Sequence, residues 1–130
     1  MMFAKVYLIL VAVLYLALAI WCTVAPKTTS GKVGFELVSG TGKSEFMTVY
    51  GGLELGLALV LLAAVFRPET VGWGVSACVL IHASLVLFRS LSLFRFDDIG
   101  AMTYQLAAGE WLILIMGLIA MWLQRGTSSG

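Results

Sequence analysis

The sequence predicts an all-α, polytopic membrane protein in which four transmembrane helices form an antiparallel bundle, a single domain over residues 1–125. Three observations lead there. Of 130 residues, 61% are hydrophobic and only 12% charged, and the mean hydropathy is +1.02; a soluble domain needs more charge to cover its surface. The apolar residues fall into four runs, each close to the ~20 residues a helix needs to cross a hydrocarbon core of ~30 Å. Between the runs lie Gly, Pro and charged residues, the composition of turns and water-facing loops. With eight Lys and Arg against seven Asp and Glu the formal charge is +1, so no basic surface for nucleic acid is present.

The first helix is expected over about Val6–Ala25, a run without charge. Tyr7 and Trp21 stand near its ends, where amphipathic rings favour the membrane interface, Tyr15 falls between them, and Pro26 stops it. Lys5 before this run and Thr23-Val24-Ala25 at its end mimic a signal peptide. Pro26 at the would-be cleavage position and the bulky Trp21 before Cys22 point instead to a retained helix. Lys27–Ser44, rich in Gly and Lys, reads as a water-exposed loop in which Val33, Phe35, Leu37 and Val38 could form a short piece packed on the bundle.

The second helix is expected over about Glu45–Phe66, ending at the Arg67-Pro68-Glu69 turn. The third runs over about Val71–Phe88 with His82 inside it and Arg89 at its end. Ser90–Gly100, with Arg95, Asp97 and Asp98, reads as a second loop. The fourth helix covers about Ala101–Leu123 and holds Glu110; residues 126–130 read as a flexible tail, a cloning remnant. Four crossings put both termini on one side. Lys5, Arg67 and Arg125 on that side against Lys27, Lys32, Lys43 and Arg95 on the other lean slightly towards cytoplasmic loops.

Ionisable groups at bilayer depth cost roughly 2.5–3.5 kcal/mol on insertion scales, so each needs a reason to be there. Counting from the loop side, Glu54 and Glu110 lie ~13 Å deep and His82 ~10 Å, which allows all three to share one layer. Facing agrees: Tyr50 and Glu54 are on one face of the second helix, His82 and Arg89 on one face of the third, and Thr103, Glu110 and Gly117 on one face of the fourth. The candidate ligand- or proton-binding residues are therefore Glu54, Glu110, Tyr50, His82, Arg89 and Glu45. Each also has a plain structural reading: Glu54 and Glu110 as hydrogen-bonders held by Arg89, His82 or Tyr50, His82 as a satisfied core histidine, and Arg89 as an interfacial anchor. Gly52 and Gly56 form a GxxxG that suits helix packing inside the bundle.

The chemistry is limited by what is missing. One His without an i, i+3 or i, i+4 acidic partner is a poor metal site, no serine-centred motif frames Ser84, Ser90 or Ser92, and no motif specifies a cofactor. Two carboxylates in an apolar layer repel if both are ionised, so one is expected to carry a proton unless a cation or Arg89 intervenes. Cys22 and Cys78 form no CxxC and read as packing residues.

With these residues in view the chain resembles the family of small four-helix membrane proteins named domain of unknown function 4345. The shared pattern is a first helix ending in Trp and Pro, here Trp21 and Pro26. It continues with Glu-x4-Tyr-Gly-Gly-Leu-x-Leu-Gly, here Glu45, Tyr50, Gly51, Gly52, Leu53, Leu55 and Gly56. Arg89 followed by Asp97 or Asp98, and then Glu110, complete it. The resemblance covers nearly the whole chain. It departs at Met47, often basic in the family, and at Phe88, where a Gly commonly precedes the Arg. Loss of that basic group favours a Glu45–Arg89 pair. His82 lies outside the pattern. The resemblance implies fold and site, not activity.

Two functions fit. The first is an integral membrane protein whose intramembrane polar pocket binds or translocates a small molecule, cation or proton, with Glu54 and Glu110 as a carboxylate pair. The second is a non-catalytic accessory subunit or assembly factor that meets a membrane-protein partner or a second copy. An enzyme acting on a lipid or quinone, with His82 as acid–base group, has the least support.

Overall fold

The computed structural model describes residues 1–127. All its regular structure is helical: α1 (Met2–Val24), α2 (Pro26–Lys32), α3 (Gly40–Val65), α4 (Pro68–Arg95) and α5 (Ala101–Thr127). Four of these, α1, α3, α4 and α5, are long and apolar enough to span a membrane. Gly126 and Thr127 continue α5, whereas the rest of the expected tail, residues 128–130, lies outside the described residues.

The helices begin and end differently from the sequence reading. α3 starts at Gly40, a full turn before Glu45, because Ser39 caps it, its hydroxyl accepting from the Gly42 N–H at 3.2 Å. Pro26 ends α1 but also opens α2, where a missing N–H costs nothing. Part of the expected loop is thus a short helix, held by Thr29, whose hydroxyl donates to the Ala25 carbonyl at 3.0 Å. α4 runs on past Phe88 to Arg95, with Ser92 Oγ donating to the Arg89 carbonyl at 2.8 Å. The second loop shrinks accordingly to a short connection in which Asp98 takes a left-handed conformation, φ 58. At the opposite end α3 and α4 are joined by a tight turn that Thr70 closes by donating to the Ala64 carbonyl at 3.0 Å.

α1 is the hub, packing on α3, α4 and α5; α3 also packs on α4, and α4 on α5. Its inward stripe is Ala4, Tyr7, Leu8, Val11, Ala12, Tyr15, Ala19 and Cys22, the three- and four-residue spacing of one helix face. Tyr7 therefore faces the core, not the interface as its position near the helix end implied, while Trp21 stays exposed beneath the Lys32 ammonium. In a bilayer the lipid tails are as apolar as these side chains, so close packing and hydrogen bonds, not aversion to solvent, hold the helices together.

Three glycines mark the closest approaches. A Cβ at Gly51 would lie 2.6 Å from Thr23 Oγ1, at Gly74 2.6 Å from Ala64 Cβ, and at Gly117 2.6 Å from the Tyr7 hydroxyl. The GxxxG reading needs correcting here: Gly52 and Gly56 have open space where a Cβ would stand, and Gly51 does the packing. The cause is a π-helical segment over Met47–Leu53 inside α3. The inward step from Phe46 to Gly51 is five residues, the π spacing, after which Ala58 and Leu61 resume the α rhythm.

Candidate intramembrane polar site

Polar side chains from all four spanning helices meet in the loop-side half of the bundle. The strongest single contact is Arg89 of α4 with Glu110 of α5. Arg89 Nη2 donates to Oε1 at 2.7 Å and Nε to Oε2 at 3.1 Å, a two-pronged pair in which the side chains are 29% and 14% exposed. This corrects the expected Glu45–Arg89 pair. Glu45 sits on the outer face of α3 and is exposed, and the i, i+21 reach from Arg89 to Glu110 is made possible by the direct packing of α4 on α5.

Glu54 has no such partner. It follows directly on the π segment, and its Oε2 is buried without a hydrogen-bond partner among the described residues. The phenol of Tyr15 on α1 lies within electrostatic range of both Glu54 and Glu110; Tyr50 and Cys22 also lie within range of Glu54. Glu54 and Glu110 are therefore neighbours of one tyrosine but not a carboxylate pair, since Glu110 is neutralised by Arg89 and no hydrogen bond joins the two. Tyr50 is half-buried and stacks on Phe46 at 4.7 Å between ring centroids, with Phe35 edge-on to both.

His82 sits at the centre of a second set of contacts. The Cys78 carbonyl can only accept, so His82 Nδ1 carries the hydrogen and donates to it at 2.8 Å. That leaves Nε2 to accept from the Tyr15 hydroxyl at 3.0 Å. Cys78 Sγ lies 3.6 Å from Nδ1 and 3.1 Å from the Tyr7 hydroxyl, which itself donates to the Ile113 carbonyl at 3.0 Å. The thiol hydrogen then points to the Tyr7 oxygen. Every member of this chain is satisfied, and His82 is 1% exposed.

Of the six sequence candidates, the structure brings Arg89 and Glu110 together, sets Tyr50 within electrostatic range of Arg89 and of Glu54, engages His82 in its own network, and leaves Glu45 outside. Sequence reasoning missed Tyr7, Tyr15 and Cys78 as members. The signal was there: the three-and-four spacing from Ala4 to Cys22 places both tyrosines on the inward face of α1, and Cys78 and His82 are one turn apart. Among the described residues no three His, Cys, Asp or Glu cluster closely enough to hold a metal ion. Compared with models of protein families, with curated proteins and with solved structures, the chain has no match.

Proposed function

We propose that this is a multi-pass membrane protein whose bundle binds a proton, a small cation or a hydrogen-bond-donating ligand at Glu54. The observation that carries the reading is the contrast between the two intramembrane carboxylates: Glu110 is matched by a guanidinium, whereas Glu54 holds a buried oxygen with no donor among the described residues. Leaving a buried charged acceptor unsatisfied costs on the order of 1–3 kcal/mol or more. A group that merely locked the bundle would be paired, as Glu110 is. The π segment beside Glu54 supports the same reading, because such segments recur at functional sites. Both termini lie on one side of the bilayer in this account, with the loops leaning to the cytoplasmic side. Kinship with the family of domain of unknown function 4345 is part of the proposal, resting on the Glu45-to-Gly56 pattern.

The second reading, an accessory subunit or assembly factor, is favoured by the full satisfaction of His82 and of the Arg89–Glu110 pair. Thermal unfolding in lipid nanodiscs separates the two. Glu54→Gln removes an unmatched charge and is expected to leave the melting temperature unchanged or raise it, while Glu110→Gln lowers it by the equivalent of about 2 kcal/mol. If Glu54→Gln destabilises as much as Glu110→Gln, Glu54 is a structural group and the binding site is ruled out.

A further inference from the structure

At the end of the bundle that holds the α3–α4 turn, far from Glu54, α4 and α5 part around an open cavity of about 620 Å³, the size of a small-molecule site. Two opposite charges line it: Glu69 in the first turn of α4 and Arg125 in the last turn of α5. Among the described residues Glu69 forms no ion pair, so the two charges share one cavity without closing it on each other. Trp73, one turn along α4 on the face of Glu69, lines the same space, and Gly72 has no side chain to fill it. Further in, Ser76 spends its hydroxyl hydrogen on the Gly72 carbonyl at 3.0 Å, and Met121 of α5 adds apolar surface.

Ser76 is seven residues in from Glu69 and Met121 four in from Arg125, about 10 and 6 Å along their helices. The headgroup layer on each side of the hydrocarbon is about 5–7 Å thick. The cavity therefore passes from charge at the water-facing helix ends, through the headgroup layer, to apolar surface at the edge of the hydrocarbon. A phospholipid has the same gradient.

We propose that this cavity binds a zwitterionic ethanolamine phospholipid. Arg125 takes the phosphate: a guanidinium presents five N–H donors in a planar fork, enough to hold two phosphate oxygens and keep another contact. The ammonium meets Glu69, whose carboxylate accepts its N–H hydrogens, and the ring of Trp73, whose face attracts its charge. The glycerol and the upper chains lie along Met121 and past Ser76. Charge selects the class of lipid. An anionic headgroup answers Arg125 but brings no cation to Glu69, which repels it. A choline headgroup brings the cation, but its methyl groups give the carboxylate no hydrogen to accept. Ethanolamine satisfies both ends. The site shares no residue with the Glu54 region, so the function proposed for that carboxyl stands or falls separately.

The test is lipid binding to the delipidated protein in detergent, read by native mass spectrometry. The probes are phosphatidylethanolamine, phosphatidylcholine and phosphatidylglycerol of equal chain length, with soluble phosphoethanolamine to separate a lipid from a free phosphate ester. One phosphatidylethanolamine per chain is expected to bind about tenfold tighter than either other lipid, the scale of one charge-assisted hydrogen bond. Phosphoethanolamine, with no chains to bury, binds more weakly still. Glu69→Gln weakens phosphatidylethanolamine about tenfold and abolishes its advantage over phosphatidylglycerol, a change of selectivity that a merely structural carboxylate would not produce. Arg125→Gln weakens both lipids, and Trp73→Leu costs about threefold, the scale of an exposed cation–π contact. All three side chains are exposed, and unchanged helical circular dichroism checks that the variants fold. Glu36→Gln, at an exposed acid of the long loop, binds as wild type. Equal affinity for the three lipids, or an undiminished ethanolamine preference in Glu69→Gln, overturns the site. Phosphoethanolamine binding as tightly as the lipid overturns the lipid as its occupant.

Discussion

At the scale of single residues, the pairing of Arg89 with Glu110 and the isolation of Glu54 are the two facts on which the rest depends. Arg89→Ala leaves the largely buried Glu110 carboxylate without its cation. It is expected to lower stability by about 2 kcal/mol, the low end for a broken hydrogen-bonded charge pair because Arg89 is partly exposed. The Arg89→Ala/Glu110→Ala double variant costs less than the sum of the singles, and a double-mutant cycle of thermal unfolding in nanodiscs reads the coupling. Purely additive losses would mean that the pair contributes nothing to the fold. The unusual charges were legible from composition alone, because Glu54, His82, Arg89 and Glu110 interrupt runs that contain almost nothing ionisable. Their partners were legible only in part: Arg89 as a holder of Glu110 was one of the structural readings, but the choice of Glu110 over Glu45 was made by the packing of α4 on α5. Tyr7 and Tyr15 were missed because a tyrosine is equally at home at a membrane interface and in a hydrogen-bonded core.

At the scale of the helix, the π segment explains why Gly51 and not Gly52 meets α1. Gly51→Ala, Gly74→Ala and Gly117→Ala each drive a methyl group into a neighbour and are expected to cost about 1–3 kcal/mol. Gly52→Ala and Gly56→Ala enter open space and gain helix propensity, so they are neutral or stabilising by up to about 1 kcal/mol. The order of melting temperatures checks this, and a destabilised Gly52→Ala would contradict it. Deletion offers a sharper check of the same element. Removing Gly52 lets the π turn relax to α without rotating Glu54 or Ala58 out of the bundle, whereas removing the equally exposed Leu59 rotates everything after it by ~100°. The first variant is expected to fold and the second to fail. Nothing in the sequence announced a π turn, and the glycines of Ser39–Gly42 hid the true start of α3 because glycine argues against a helix that a serine cap nonetheless begins.

At the scale of the whole molecule, the four-helix class was legible because hydropathy and length leave a chain this apolar few alternatives. The arrangement of the helices was not legible: which pairs adjoin decides whether two carboxylates at equal depth meet. Glu54 and Glu110 share Tyr15 as a neighbour, yet among the described residues Glu110 alone of the two forms an ion pair. Both cysteines are free and buried, so the folded protein in nanodiscs is expected to resist a membrane-impermeant maleimide until it is denatured. The central claim is that Glu54 is an intramembrane carboxylate kept open for a proton or cation. Carbon-13 spectra of the Glu54 carboxyl in nanodiscs, assigned by its loss in Glu54→Gln, address that claim most directly. The account predicts a resonance that moves as protons or small cations are added, while a resonance fixed under every such condition would show a carboxyl permanently occupied by the fold and would contradict it.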